Sequence, residues 1–304
     1  LSTLLPSSSR IQEASPGCYV IHAPAKINLG LRVFPIRADG YHDVETWMVP
    51  VSWHDTITYR PEGPLRMEVT GRSEGVPPEP ERNLIGKAAL LLGKTTQRTA
   101  TGCLQLHKAI PTGGGMGGGS SDAAHTLVLL NQVWDTGLHN EQLIELAAQL
   151  GSDVAFFVRC SAALCTGRGE IMRPARSYYP LYAVLILPTQ GISTKEIFQR
   201  FDADTQPRIW TGNWCKWAAL PADELNQVLA NDLEKPAFAF APWLESLRDT
   251  AAVAIGQKVH MTGSGSTLFT LAATAGAAES LAETLTTVLA HEAQTMCVKV
   301  LRRT

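Results

Sequence analysis

Six glycines in seven residues, Gly113, Gly114, Gly115, Gly117, Gly118 and Gly119, constrain this chain more than any other feature. Only Met116 interrupts them. Such a run does not belong inside a helix or strand, because glycine loses the most backbone freedom on ordering. Before it stands the alternating stretch CLQLHKAI (103–110), which reads as a strand. After it come Ser120, Ser121 and Asp122, then a stretch with Ala123, Leu127, Leu130 and Trp134 on one helical face. The spacing predicts a helix over 122–134, with Ser120 and Ser121 where an N-cap is wanted. A strand, a glycine turn and a helix start, in that order, make an anion site. The first helical N–H groups lack partners and lie at the positive end of the dipole. Glycine lets a ligand come close to the peptide groups, so the natural occupant is phosphate.

Other readings of the run are weaker. A tight turn needs one or two glycines, not six. A Walker loop is excluded, because no Gly-Lys-Ser/Thr follows. Gly113, Gly115 and Gly118 fit a dinucleotide fingerprint, and Asp135 lies near the expected ribose-binding spacing. No parallel βαβ series surrounds them, however. An oxidoreductase is therefore kept only as the alternative.

Composition narrows the class. Gly 25 of 304 residues is an ordinary total, so only the clustering is informative. Hydrophobic residues at 45% suffice for a packed core. Lys+Arg 26 against Asp+Glu 28 leaves a net charge of −2, and no basic tract points to nucleic acid or an anionic membrane. The eight histidines lack metal-ligand spacing. The six cysteines contain no CxxC pair and read as buried, reduced thiols of a cytoplasmic protein. No apolar stretch approaches the roughly 20 residues of a membrane span. The opening LSTLLPSSSRIQEASPG, which begins at Leu1, reads as a polar lead-in and not as a secretory signal.

Strand and helix patterns mix along the chain, which predicts an α+β protein. CYVIHA, LGLRVFPI and DVETWMVPV read as three strands, with Asp39-Gly40 as a hairpin turn between the last two. Helices are expected over 84–92, from an Asn140 cap to Leu150, and around 194–201, 222–230, 242–250 and 276–290. LYAVLILP reads as a buried strand, HMTG-SGS-TLFTLAA as a hairpin, and MCVKVLRR as a closing strand. The prolines at 174 and 180 mark a boundary, giving expected domains 1–180 and 181–304.

PTGGGMGGGSSDAA resembles the second motif of the GHMP kinases, the superfamily of galactokinase, homoserine kinase and mevalonate kinase. APAKINLGL (23–31) is similar to the first motif of that superfamily, and MTGSGSTLF (261–269) to the third. The three stand in the family's order over about 250 residues. The stretches RADGYH (37–42), GGGSSDAA, LGSDVAFFV (150–158) and GRGE (167–170) further resemble the members that phosphorylate the cytidine diphosphate ester of methylerythritol, on the route to isoprenoid precursors. Ser152 and Ala155 stand where those members often have Ala and Pro, and Met116 where Leu is common. The segment 200–225, with Trp210, Trp214 and Trp217, matches no motif.

The resemblance implies an N-terminal lobe of the ribosomal S5 domain 2 type and a C-terminal ferredoxin-like lobe, with the active site in the cleft between them. It implies ATP and Mg2+ as cofactors, a small-molecule acceptor and a monomer or weak homodimer; it assigns no metal ligand. Lys26 would contact Asp153 and the acceptor hydroxyl, and Asp153 would be the base that takes its proton. Pro111, Thr112, Gly113, Gly114, Gly115, Met116, Gly117, Gly118, Gly119, Ser120 and Ser121 would hold the ATP phosphates. Asn83, Leu84 and Lys108 would lie toward the adenine and ribose. Asn28 would meet the methylerythritol part, Tyr41 would stack on the cytosine, and His42 would hydrogen-bond its edge. Thr194 and Phe198 would complete that pocket, and Gly263, Ser264 and Gly265 would support the phosphate loop. A homoserine- or mevalonate-type kinase is the alternative acceptor reading, and the DGYH stretch argues against it.

Overall fold

A computed structural model describes residues 11–203 and 213–301 of the chain. The polar lead-in up to residue 10, Trp210, and Arg302 and Arg303 of the expected closing strand lie outside the described residues. The chain forms two compact units, each discontinuous in sequence. One comprises residues 1–25, 52–112 and 117–160; the other comprises 26–51, 113–116 and 161–304. They differ from the consecutive domains 1–180 and 181–304 expected above, because two long strands each supply residues to both units.

Those strands are β2 (Cys18–Ile36) and β3 (His42–Pro64), after the short β1 (Gln12–Ser15). The expected break in β2 does not occur. Residues 23–31 are buried without interruption, so both faces of the strand are covered and the alternation that marks a half-buried strand is lost. The Asp39-Gly40 turn is where it was expected: Arg37 N–H donates to Tyr41 O at 2.7 Å.

In the unit that holds residues 117–160, the strand order is β1-β2-β3-β5-β4, with β4 (Arg66–Gly71) and β5 (Thr101–Lys108). The β4–β5 pairing is parallel, and the pairings β1–β2 and β3–β5 are antiparallel. That is no dinucleotide-binding βαβ series. Helices α1 (Leu84–Thr95), α2 (Gly118–Val133), α3 (Asn140–Leu150) and α4 (Ser152–Arg159) complete the unit. Two caps differ from expectation. α2 starts four residues early on Gly117, whose φ of 67° is the left-handed conformation that glycine tolerates, so Ser120 and Ser121 lie in the first turn. α3 is capped by His139 and not Asn140; His139 N–H donates to Gln142 Oε1 at 2.9 Å in a capping box.

The other unit contains β6 (Ala163–Thr166), paired with β3, and β7 (Ile171–Pro174), paired with β6. Its second sheet has the order β11-β8-β10-β9, from β8 (Tyr182–Pro188), β9 (His260–Met261), β10 (Leu268–Ala272) and β11 (Ala293–Lys299), all antiparallel. Among the described residues six helices accompany it: α5 (Thr194–Ala203), α6 (Trp214–Trp217), α7 (Ala222–Val228), α8 (Glu234–Phe240), α9 (Pro242–Ile255) and α10 (Ala275–Val288). Trp214 and Trp217, unassigned by sequence, pack edge to face, and a Cβ on Gly30 would lie 2.7 Å from the Trp214 ring. Gly30 is thus small because an aromatic pair seals that stretch of β2. Among the cysteines Cys215 and Cys297 are exposed, against the expectation of six buried thiols, whereas Cys18, Cys103, Cys160 and Cys165 are buried. No helix among the described residues is long and apolar enough to cross a membrane.

One half-buried carboxylate of this unit makes stability depend on pH. Glu234 Oε1 accepts the Met261 N–H at 2.8 Å, yet burial pushes the carboxyl up from 4.5 to about 7. Between those values the folded chain holds a proton that the unfolded chain has released. Stability therefore falls as pH rises through this window, by up to about 3 kcal/mol. Glu234→Gln is neutral throughout, so urea denaturation should find it more stable than the parent at pH 8 and level with it at pH 4.5. Equal stability of the two proteins at pH 8 would refute the assignment.

Candidate active site

The first, second and third sequence motifs meet in the unit that begins at Lys26. Lys26 N–H donates to Met116 O at 3.0 Å, and its Nζ donates to Gly115 O at 2.8 Å and to Asn28 Oδ1 at 2.6 Å. Lys26 and Asn28 share a face of β2, as residues two apart in a strand must. Both are buried, at 3% and 5% exposure, so each needs partners. Asn28 N–H donates to Thr262 Oγ1 at 3.0 Å, and its Nδ2 donates to Thr46 Oγ1 at 2.8 Å. Thr46 in turn donates to Gly30 O at 2.7 Å. Gly115 thereby fixes the Lys26 ammonium directly, and Thr262 holds the Asn28 that shares it.

The glycines let this happen. Gly115 has a φ of 73°, and a Cβ there would lie 2.4 Å from Thr262 O. Glycine alone allows the second motif to touch the third so closely. The third motif is a turn: Gly265 N–H donates to Thr262 O at 3.0 Å. Asn231, which the sequence reading did not single out, holds it from outside. Its Nδ2 donates to both Met261 O and Gly263 O at 2.8 Å. Thr194, at the start of α5, meets Ser264 through their hydroxyl oxygens at 2.7 Å.

The acceptor candidates of the same unit are partly assembled. Tyr41 is 51% exposed. His42 packs 5.2 Å from the Phe198 ring and edge-on to Phe201. Its Nδ1 is 2.8 Å from Phe34 O and its Nε2 is 3.3 Å from Asp202 Oδ1. Both ring nitrogens are thus engaged, and a side-chain hydrogen bond from His42 to a base edge requires one of them to exchange.

The other unit carries the helix half of the glycine run. Ser121 N–H donates to Gly117 O at 2.8 Å, so the N–H groups of Gly118, Gly119 and Ser120 precede the helix's own ladder. Gly119 is exposed and Ser120 half-buried, whereas Ser121 is buried beside His125. Of the two serines, Ser120 is the one able to meet a ligand. α1 reaches the same place, since Leu84 Cδ1 lies 3.6 Å from a Cβ position on Gly119. Asn83 caps α1 by accepting the Ile85 N–H at 3.1 Å and donates to Pro77 O at 2.7 Å. Asp153 sits half-buried in the first turn of α4, where the helix dipole favours a carboxylate.

Beneath the loop lies a charge cluster. Lys108 Nζ, 3% exposed, bonds Asp55 Oδ2 and, at 2.8 Å, Asp122 Oδ2. Asp55 Oδ1 also accepts the N–H groups of Ala109 and Ile110, at 2.6 and 2.8 Å. Burial pushes the Asp122 carboxyl well above the ordinary range; Lys108 opposes this and Asp55 adds to it. Burial alone would lower the Lys108 ammonium, but Asp122 and Asp55 outweigh it and the net shift is upward. The Lys108 side chain is thus turned into the protein and held by two carboxylates. Asp55, with its long sequence separation, gave no signal in the sequence.

Comparison with known proteins agrees with the motifs. A family model described as GHMP kinases N terminal domain matches residues 83–161, and one described as GHMP kinases C terminal matches 218–291. A 4-diphosphocytidyl-2-C-methyl-D-erythritol kinase of Methylacidiphilum infernorum is 41% identical over 82% of this chain and 84% of its own length. That of Nocardia farcinica is 36% identical over 89% of this chain and 90% of its own length. A crystal structure of 4-(cytidine 5'-diphospho)-2C-methyl-D-erythritol kinase superposes with a TM-score of 0.74 at 31% identity, covering 92% of this chain and 98% of its own. A homoserine kinase from Cytophaga hutchinsonii, 15% identical with a TM-score of 0.72 over 96% of this chain and 97% of its own, shares the fold. Three motifs converging on Lys26 and Asn28, and relatives matched over most of their length, place the chain in the GHMP kinases, within the family of 4-diphosphocytidyl-2-C-methyl-D-erythritol kinases.

Proposed function

We propose that the protein transfers the γ-phosphate of ATP to the C2 hydroxyl of 4-diphosphocytidyl-2-C-methyl-D-erythritol, giving its 2-phosphate and ADP. The observation that carries this reading is the hydrogen-bonded junction of Lys26, Asn28, Gly115 and Thr262. Phosphoryl transfer depends on positioning and charge stabilisation, and such a junction supplies a fixed cation. In this reading the first-turn N–H groups of α2 bind ATP phosphate oxygens. Asp153 accepts the proton of the C2 hydroxyl, and Lys26 steadies the charge that develops as the new P–O bond forms. Tyr41, Phe198 and Thr194 take the cytosine side, and Asn28 the polyol side.

Magnesium would neutralise phosphate charge during transfer. No group of three His, Cys, Asp or Glu side chains among the described residues could hold a metal alone. The donor set fits an ion carried on ATP phosphates with the Ser120 hydroxyl added, the usual manner of magnesium at such sites. The domain limits 1–180 and 181–304 belong to the same reading, and the two family matches fall on either side of residue 180.

ADP release measured with the cytidylylated acceptor, with homoserine and with mevalonate tests the assignment. Turnover is expected with the first alone. Turnover with either of the others and none with the first would overturn it.

A further inference from the structure

Arg168 lies in the turn between β6 and β7, within the GRGE stretch, and has been given no role of its own above. Its N–H donates to Glu170 Oε2 at 2.7 Å, and the preceding Gly167 O accepts the Val44 N–H at 2.7 Å. These bonds anchor the turn beside the start of β3. The Arg168 guanidinium carbon consequently stacks 3.7 Å from the Tyr41 ring centroid. Its buried Nε has no hydrogen-bond partner, and no ion pair joins the guanidinium to a carboxylate among the described residues. Arg37, four residues before Tyr41, is the contrast, since Asp39 and Asp43 hold it at 2.9 and 2.8 Å.

A guanidinium laid on an aromatic ring keeps its N–H edge available for an anion. Tyr41 keeps half its surface open for a second stacking partner. We propose that Arg168 is a specificity-determining residue for the acceptor: it sets a cation with no ion-pair partner among the described residues beside the Tyr41 base platform, where it attracts the diphosphate attached to the cytidine. The inference rests on the acceptor reading given above. A nucleoside stacked on Tyr41 holds its diphosphate within about one Debye length (~8–10 Å) of the guanidinium. Attraction over that range, in a partly buried setting, is expected to change affinity about tenfold. An acceptor without a diphosphate gains nothing from it.

Calorimetric titration of the full chain with cytidine 5′-diphosphate and with cytidine tests this. Arg168→Gln is expected to weaken the diphosphate about tenfold and to leave cytidine within twofold. Arg168→Lys keeps the charge and should recover part of the loss. In turnover, Arg168→Gln should raise KM for the acceptor and leave both kcat and KM for ATP unchanged, which also shows that the variant is folded. Equal losses for cytidine and its diphosphate would reduce Arg168 to a prop for Tyr41 and overturn the proposal. So would undiminished diphosphate binding in Arg168→Gln. A parent protein that binds no cytidine diphosphate would instead bring down the acceptor reading, and the proposal with it.

Discussion

Asp153→Asn is expected to lower kcat by two to four orders of magnitude while ATP still binds. The amide has nearly the shape of the carboxylate and keeps an acceptor oxygen, so the first turn of α4 has little cause to rearrange. Val154, Ala155, Phe156 and Phe157 behind it are fully buried and hold the helix. What disappears is basicity, because a neutral amide does not take up the hydroxyl proton as the new bond forms. Loss of a positioned general base commonly costs 10²–10⁴-fold, about 3–5 kcal/mol on the barrier. Turnover by ADP release and ATP affinity by calorimetry separate chemistry from binding. Near-normal turnover would remove Asp153 from the base role. A parallel collapse of ATP affinity would mean that the carboxylate supports the nucleotide and not the proton transfer.

The glycine loop was legible because its signal is local. Six glycines between a strand and a helix have few other uses, and β5 and α2 stand where expected. The start of α2 was misjudged, because Ser120 and Ser121 are good caps by type. Gly117 wins by adopting the left-handed conformation, which composition does not reveal. The apparent gap in β2 has a similar origin: Lys26 and Asn28 look like surface residues until residues from two other motifs cover them. Asp55, Thr46 and Asn231 carried no signal, since each acts through partners far away in sequence. Asp55 is an acidic residue in a strand by any local measure, and it becomes the hinge of a buried cluster only through Lys108. The roles of His42 and Lys108 narrowed for the same reason, since partners found only in the fold occupy their side-chain nitrogens.

Lys108→Met is expected to cost about 3–5 kcal/mol of folding stability, the usual consequence of removing one member of a buried ion pair. Asp55 and Asp122 would be left facing each other out of water, and one must take up a proton. The damage should also reach nucleotide binding. Lys108 ends β5, Asp55 holds the N–H groups of the next two residues, and Asp122 belongs to the first turns of α2. The cluster therefore grips both ends of the glycine run, and a looser grip should raise KM for ATP well before kcat falls. Asp122→Asn is the informative contrast. Asp122 Oδ1 has no hydrogen-bond partner, and burial already favours its protonated form. Neutralising it should therefore cost much less than losing Lys108. Combining the two should recover part of the Lys108→Met loss, because only one carboxylate then remains in the cavity. Urea denaturation of the three variants, with KM for ATP for each, measures both effects. Equal destabilisation by Asp122→Asn and Lys108→Met, with no recovery in the double variant, would show that the two side chains contribute as separate packing elements and not as one electrostatic clamp on the loop.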